Sequence, residues 1–138
     1  MTGILIVTHS TLGQALIESA ELIMNSQIEN IGSVSIDIRE PAEALIKKIR
    51  TGIKKVNNDK GVIIFTDMFG GTPSNLSYSF LEEGSVEVIS GVNLPILIKA
   101  ISVRGKQDLP TAAASIVAHG KKSISLASGI LKGDKRNN

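Results

Sequence analysis

Short apolar runs alternate along this chain with segments whose apolar residues recur at helical spacing. The most apolar run, Val62-Ile63-Ile64-Phe65, follows Gly61 and is followed by Thr66 and Asp67. Runs of this length are typical of strands that a parallel sheet buries on both faces. Their alternation with helices predicts an α/β protein, doubly wound, with helices on both faces of a mostly parallel sheet.

Four main strands and five helices are predicted from this pattern. The strands cover residues 3–8, 34–38, 61–66 and 85–90, with the third placed at the centre of the sheet. Residues 123–127 form a short final strand in this interpretation. The helices cover residues 13–25, a segment that follows Pro41, a segment from Thr72 as N-cap to Gly84, residues 94–103, and residues 110–120.

Length and composition indicate one domain, over residues 1–132, followed by a frayed polar tail at 133–138. The chain has no cysteine, so it offers neither disulfides nor thiolate zinc ligands. Its formal charge of +2 and the lack of aromatic residues among the lysines argue against nucleic-acid binding. We see neither a signal peptide nor an apolar run that could span a bilayer, and we expect a cytoplasmic protein without direct membrane insertion.

Polar residues collect at the carboxyl ends of two predicted strands, where open α/β sheets place their reactive groups. The first strand leads into His9, and the third leads into residues 67–75, Asp-Met-Phe-Gly-Gly-Thr-Pro-Ser-Asn. If these strands are neighbours, as doubly wound topologies commonly place them, His9 and Asp67 face each other at the top edge of the sheet. The sequence therefore predicts a functional site that contains His9 and Asp67.

His9 is a candidate nucleophile, because neutral imidazole is well populated at cellular pH. A carboxylate such as Asp67 can accept the hydrogen of one ring nitrogen and leave the lone pair of the other free to attack phosphorus. Glycines at 70 and 71, followed by a helix start at Thr72, can surround an anion with backbone N–H groups. No cluster of metal ligands is visible, and we predict no metal and no other cofactor.

Each of these residues also has an ordinary structural interpretation. A histidine after a strand is equally often a simple loop residue, and an aspartate before two glycines more often serves a turn. His119 falls near the end of a predicted helix, which favours a structural role. Arg104 follows another helix, where solvation and contact with an acidic partner are both open. Only the joint placement of His9 and Asp67 raises the functional interpretation above these alternatives.

Three blocks of the sequence resemble the mannose-type (mannose/fructose/sorbose) enzyme IIA domains of the bacterial phosphoenolpyruvate:sugar phosphotransferase system. They are residues 3–9, 66–75 and 89–95. The resemblance implies that His9 carries a phosphoryl group, that Asp67 orients it, and that Gly70, Gly71 and Thr72 hold the phosphoryl oxygens. The supporting positions in the same blocks are Thr66, Ser74, Asn75 and Asn93.

The resemblance also implies a fold and a set of partners. It suggests a five-stranded sheet whose last strand, residues 123–127, is antiparallel at the edge, and a homodimer in which that strand can be exchanged. The implied activity is phosphoryl transfer from the general phosphocarrier protein to an enzyme IIB during sugar uptake. A regulatory phosphorelay protein without transport, a dihydroxyacetone-kinase phosphocarrier and a small-molecule binder remain as alternatives.

Overall fold

A computed structural model describes residues 1–133 of the chain. Its strands are β1 (Gly3–His9), β2 (Ile31–Ile36), β3 (Val62–Thr66) and β4 (Val86–Ser90). Its helices are α1 (Leu12–Met24), α2 (Ala42–Val56), α3 (Thr72–Tyr78), α4 (Leu94–Val103), α5 (Leu109–Lys122) and α6 (Ala127–Leu131). The predicted α/β class is confirmed. Within these residues, no helix is long and apolar enough to cross a membrane.

The four strands form one parallel sheet in the order β2-β1-β3-β4. Strands β1 and β3 are therefore both central, and Val7 pairs with Thr66 near their carboxyl ends. The chain places β2 on one side of β1, and then β3 and β4 on the other side. The direction in which strands are added therefore reverses between β1 and β3. Loops that follow these two strands flank the switch point, where open α/β sheets bind ligands.

Helices cover both faces of the sheet, because alternate residues of each central strand point to opposite sides. On one face, Ile4, Ile6 and Phe65 pack under α1, α4 and α5. On the other, Leu5, Val7 and Ile64 pack under α2, with α3 adding partly buried contacts. All six of these strand side chains are at most 1% exposed. The double burial explains why these strands read as unbroken apolar runs.

The predicted fifth, antiparallel strand is wrong for the part of the chain that the structure describes. Residues 123–126 lie outside regular structure, and the short helix α6 begins at Ala127. Ile124 is 85% exposed and Leu126 is 76% exposed, so this segment packs against little of the chain. A strand requires the N–H and C=O groups of a neighbouring strand, and an alternating sequence alone does not supply them.

Several predicted boundaries also shift. Strand β2 begins at Ile31 rather than Val34 and ends at Ile36, because its pairing to β1 starts opposite Ile4. Helix α3 ends at Tyr78, well before Gly84, and its N-cap position is Gly71 rather than Thr72. A turn then leads into β4, with Glu82 bridging antiparallel to Val86. The predicted polar tail falls almost wholly on residues 134–138, outside the described residues.

Arg104 is a structural residue rather than a solvated or partner-facing one. Its guanidinium is buried at the end of α4, where Nη1 donates to the carbonyls of Thr2 and Asn30 at 3.4 and 3.0 Å. Nη2 donates to the carbonyl of Glu29 at 2.5 Å. These bonds join α4 to the start of β1 and to the segment before β2, at the end of the sheet opposite His9. Among the described residues, the side chain supplies the one donor to the carbonyls of Thr2 and Glu29, and it adds a second donor to the carbonyl of Asn30, which also accepts from Ile4 N–H.

Candidate active site

His9 and Asp67 lie side by side because β1 and β3 are adjacent and parallel. His9 is the last residue of β1, and Asp67 directly follows β3. The register that pairs Val7 with Thr66 places the two chain segments level with each other at the carboxyl edge of the sheet. The structure thus brings together the two residues that the sequence singled out at separate strand ends.

A short ion pair joins the two side chains. His9 Nδ1 is 2.7 Å from Asp67 Oδ2, with the His9 side chain 42% exposed and the Asp67 side chain 13% exposed. The backbone N–H of His9 donates to the same oxygen at 2.9 Å. Asp67 Oδ1 accepts the backbone N–H of Met68 at 3.0 Å. Both carboxylate oxygens are therefore fixed, and the carboxylate in turn fixes the imidazole.

These contacts set the charge of Asp67. Its partial burial alone would raise the pKa of the carboxyl, but the hydrogen bonds from the backbone and ring of His9 outweigh burial and leave the pKa below its ordinary value. Asp67 is consequently an anion at neutral pH. As an anion it can only accept, so Nδ1 carries the hydrogen of a neutral His9 ring and Nε2 presents its lone pair.

Gly71 lies against the His9 ring, beside its Cε1 and Nε2 atoms. A Cβ atom added at this glycine would lie 3.1 Å from His9 Cε1 and 3.7 Å from Nε2. The absence of a side chain is thus what allows the loop backbone to approach the ring. The backbone of the loop before α3 therefore lies next to Nε2 of His9.

The loop turns sharply at Gly70 and Gly71, just before α3 begins at Thr72. Gly70 has a φ of +86°, which side chains other than glycine rarely adopt. The backbone N–H groups of Gly71 and Thr72 donate to no other residue that the structure describes. Unpaired N–H groups beside a ring nitrogen can donate to the oxygens of an anion attached to that nitrogen. The arrangement suits a tetrahedral oxyanion group on Nε2.

The supporting residues hold this loop and its neighbours. Ser74 Oγ donates to the carbonyl of Gly71 at 2.9 Å, and Asn75 Nδ2 reaches the carbonyl of Gly70 at 3.5 Å. Thr66 Oγ1 donates to Ser90 Oγ at 2.9 Å, linking β3 to β4. Asn93 caps α4 by accepting the N–H of Ile96 at 2.9 Å. Ser74 and Asn75 thus act on the loop, whereas Thr66 and Asn93 act on the strands and helix behind it.

A cleft of about 440 Å³ opens beside His9, and its far wall includes residues that sequence reasoning did not assign to the site. Asp37 and Arg39 face each other there through two hydrogen bonds at 3.0 and 2.9 Å. The side chain and backbone N–H of Arg39 lower the pKa of Asp37 to about 2. These residues follow β2, so the rule that strand ends share one sheet edge would have indicated them.

His119, the second histidine, is on helix α5 and contributes nothing to the site around His9 and Asp67. It is exposed in the last turn of α5, among Lys121 and Lys122. The structure gives it no carboxylate partner among the described residues. Within the same residues, no three histidine or acidic side chains gather closely enough to hold a metal ion.

Comparison with known proteins assigns the chain to a family. The sequence profile described as the PTS system fructose IIA component matches residues 3–117. The chain is 30% identical over 129 residues to the PTS system fructose-specific EIIA component of Bacillus subtilis, covering 93% of this chain and 88% of that protein. It is 35% identical over 103 residues to the PTS system mannose-specific EIIAB component of Escherichia coli K12, covering 74% of this chain. The matched part is about a third (32%) of that longer protein.

Solved structures share the same fold. A phosphotransferase system component EIIA from Streptococcus agalactiae superposes with a TM-score of 0.81 at 23% identity, covering 93% of this chain and 98% of that one. A PTS IIA protein associated with the fucose utilization operon of Streptococcus pneumoniae gives a TM-score of 0.82 at 22% identity, covering 94% and 96%. The parallel sheet and its helices are therefore those of this group of proteins.

Proposed function

The chain belongs to the mannose- and fructose-type IIA components of the phosphotransferase system, and we propose that it carries a phosphoryl group on Nε2 of His9 between two other proteins of that system. The donor in this proposal is the general phosphocarrier protein, and the acceptor is an enzyme IIB. The observation that carries it is the 2.7 Å contact between His9 Nδ1 and Asp67 Oδ2, which leaves Nε2 as the free nitrogen.

The first transfer is a displacement at phosphorus. The lone pair of Nε2 attacks the phosphoryl group of the donor's phosphohistidine, a bond forms from Nε2 to phosphorus, and the donor's P–N bond breaks with its electron pair returning to the donor ring. His9 Nδ1 keeps its hydrogen, bonded to Asp67, and the carboxylate stabilises the positive charge that develops on the ring.

The loop beside the ring serves the transferred group. The N–H groups of Gly71 and Thr72 donate to the phosphoryl oxygens and take the part that a metal ion has in many kinases. The second transfer reverses the first, with a nucleophile of enzyme IIB attacking phosphorus and His9 leaving as the neutral ring. A P–N bond retains the transfer potential that a relay needs, whereas a serine or threonine ester would trap the group.

Labelling tests the proposal. Incubation with phosphoenolpyruvate, enzyme I and the general phosphocarrier protein should add one acid-labile, alkali-stable phosphate per chain, on His9. His9→Ala should abolish the label, and His119→Ala is the matched control that should retain it, with circular dichroism showing that both remain folded. Label that persists in the His9→Ala protein, or that lies on Ser10 or Thr72, contradicts the proposal. Transfer onward to an enzyme IIB separates transport from a purely regulatory relay.

We also propose that the working form is a homodimer. The exposed, alternating segment at residues 123–126 and the exposed side chains of Ile124 and Leu126 support association, because apolar side chains at such exposure gain by burial against a second chain. Sedimentation at micromolar concentration should give twice the chain mass. A monomer under these conditions contradicts this part of the proposal.

A further inference from the structure

Strand β2 lies at the edge of the sheet and leaves one side of its backbone unpaired. Its inner side pairs with β1, where Ile4 N–H donates to the carbonyl of Asn30. In a parallel ladder alternate residues bond to opposite sides, so the N–H and C=O groups of Ile31, Ser33 and Ser35 point away from β1. No strand within residues 1–133 pairs with that outer side. An edge of this kind accepts an added strand.

A groove of about 770 Å³ runs between this edge and helix α2. Its floor is apolar and reaches Leu5 in the central strand, because Gly32 and Gly52 place no side chain over it. A Cβ atom at Gly32 would lie 3.8 Å from Leu5 Cδ1, and one at Gly52 would lie 2.9 Å from the same atom. The two glycines therefore leave open a groove that has an apolar floor and the edge of β2 as one wall.

The opposite wall of the groove is basic. Lys47, Lys48 and Lys55 line it from α2, and no carboxylate is among its lining residues. Lys48 Nζ contacts Glu40 Oε1 at 2.7 Å, while the structure shows no carboxylate within ion-pair distance of Lys47 or Lys55 among the residues it describes. Such a wall attracts negative side chains and repels positive ones.

We propose that this groove binds an extended acidic segment of a partner protein, which adds to β2 as a further strand. The backbone of the segment pairs with Ile31, Ser33 and Ser35. Its alternate side chains that point to the α2 face carry the carboxylates, which reach the three lysines while their aliphatic stems cover the apolar floor. Ser35 and Lys48 also line the cleft beside His9, so the groove continues toward the carboxyl edge of the sheet. This inference is independent of the function proposed for His9.

A second copy of this chain suits the groove less well. Pairing of β2 with β2 of another molecule would bring two sets of Lys47, Lys48 and Lys55 onto one junction, and like charges at a junction repel. An acidic segment instead brings negative side chains to these lysines, and opposite charges at a junction attract. The charge of the wall therefore selects the partner peptide over self-association.

Two labelled octapeptides test the proposal on the full chain. A fluorescein-labelled peptide of alternating Glu and Val should raise its anisotropy when the protein is added, and the binding should weaken as salt increases. The matched peptide of alternating Lys and Val should not bind. The acidic peptide should also slow amide hydrogen exchange at Ile31, Ser33 and Ser35, as strand addition requires. Equal binding of both peptides, or binding without this protection, overturns the proposal.

Charge reversal on the wall supplies the second test. The double variant Lys47→Glu with Lys55→Glu should bind the acidic peptide at least about tenfold more weakly, since two exposed charge pairs become repulsive. Lys121→Glu with Lys122→Glu, at the end of α5, is the matched control and should bind as the unaltered chain does. Unchanged affinity of the groove variant for the acidic peptide overturns the proposal. Slower amide exchange at the β2 edge that appears without peptide and increases with protein concentration also overturns it. That result would identify a second copy of the chain as the occupant.

Discussion

Asp67 Oδ2 accepts two hydrogen bonds from one residue, the ring Nδ1 of His9 at 2.7 Å and the backbone N–H of His9 at 2.9 Å. The carboxylate thereby fixes the ring relative to its own backbone as well as relative to β3. Because the ring and the backbone of His9 bond to the same oxygen, the position of Nε2 is defined, and Gly71 lies beside it. Preorganisation of this kind lowers the cost of reaching the transition state.

Replacement of Asp67 by Asn should leave a folded protein that transfers phosphate about 10²–10⁴-fold more slowly, because the amide keeps the shape of the side chain but not its charge. The measurement is the rate of phosphorylation by the general phosphocarrier protein under single-turnover conditions. Asp59→Asn, in an exposed turn, is the matched control and should transfer at the normal rate. A rate unaltered in Asp67→Asn would remove this carboxylate from the mechanism.

Replacement of Gly71 by Ala should reduce the transfer rate by about tenfold or more, since a Cβ atom 3.1 Å from His9 Cε1 forces the loop away from the ring. Gly105→Ala is the control, because a Cβ atom there meets no heavy atom within 4 Å. Both variants should unfold at nearly the same temperature as the unaltered chain. Equal transfer rates in the two variants would show that the close approach of Gly71 does not matter.

The stabilising effect of Asp67 should depend on pH. Its pKa is lower in the folded chain than in the unfolded one, so the folded state gains stability at pH values above the ordinary carboxyl pKa and loses it as the pH falls through the folded value. Denaturant titrations of the unaltered chain and of Asp67→Asn should therefore show a larger difference in the free energy of unfolding at pH 7 than at pH 3. A difference that stays constant or grows on acidification would contradict this.

Replacement of Arg104 by Met should destabilise the protein by about 2–4 kcal/mol, because the carbonyls of Thr2, Glu29 and Asn30 lose a charged donor. Lys106→Met, at an exposed position nearby, is the control and should change stability by less than about 0.5 kcal/mol. The measurement is the free energy of unfolding in urea. Below the unfolding temperature, Arg104→Met should still accept phosphate on His9, since Arg104 lies at the opposite end of the sheet.

The apolar pattern determined most of the secondary structure, because burial on two faces of a sheet demands an unbroken run such as Val62-Ile63-Ile64-Phe65. The strand ends at His9 and Asp67 followed from the same pattern, and so did the parallel α/β class. Prolines and caps at the starts of α4 and α5 are local signals too. Asn93 accepts the N–H of Ile96, and Asp108 accepts the N–H of Thr111, each in the first turn of its helix. Interactions between residues that are close in sequence can therefore be predicted from the sequence.

Contacts between distant residues were decided only by the tertiary structure. Adjacency of β1 and β3 brings His9 to Asp67 across 58 positions, and the hydrogen bond itself then selects Nε2 as the free nitrogen. Arg104 is buried because carbonyls from residues 2, 29 and 30 converge on it, which no local pattern records. Residues 123–126 alternate like a strand but lack a backbone to pair with in one chain, because a strand is completed by its neighbour and not by its own sequence.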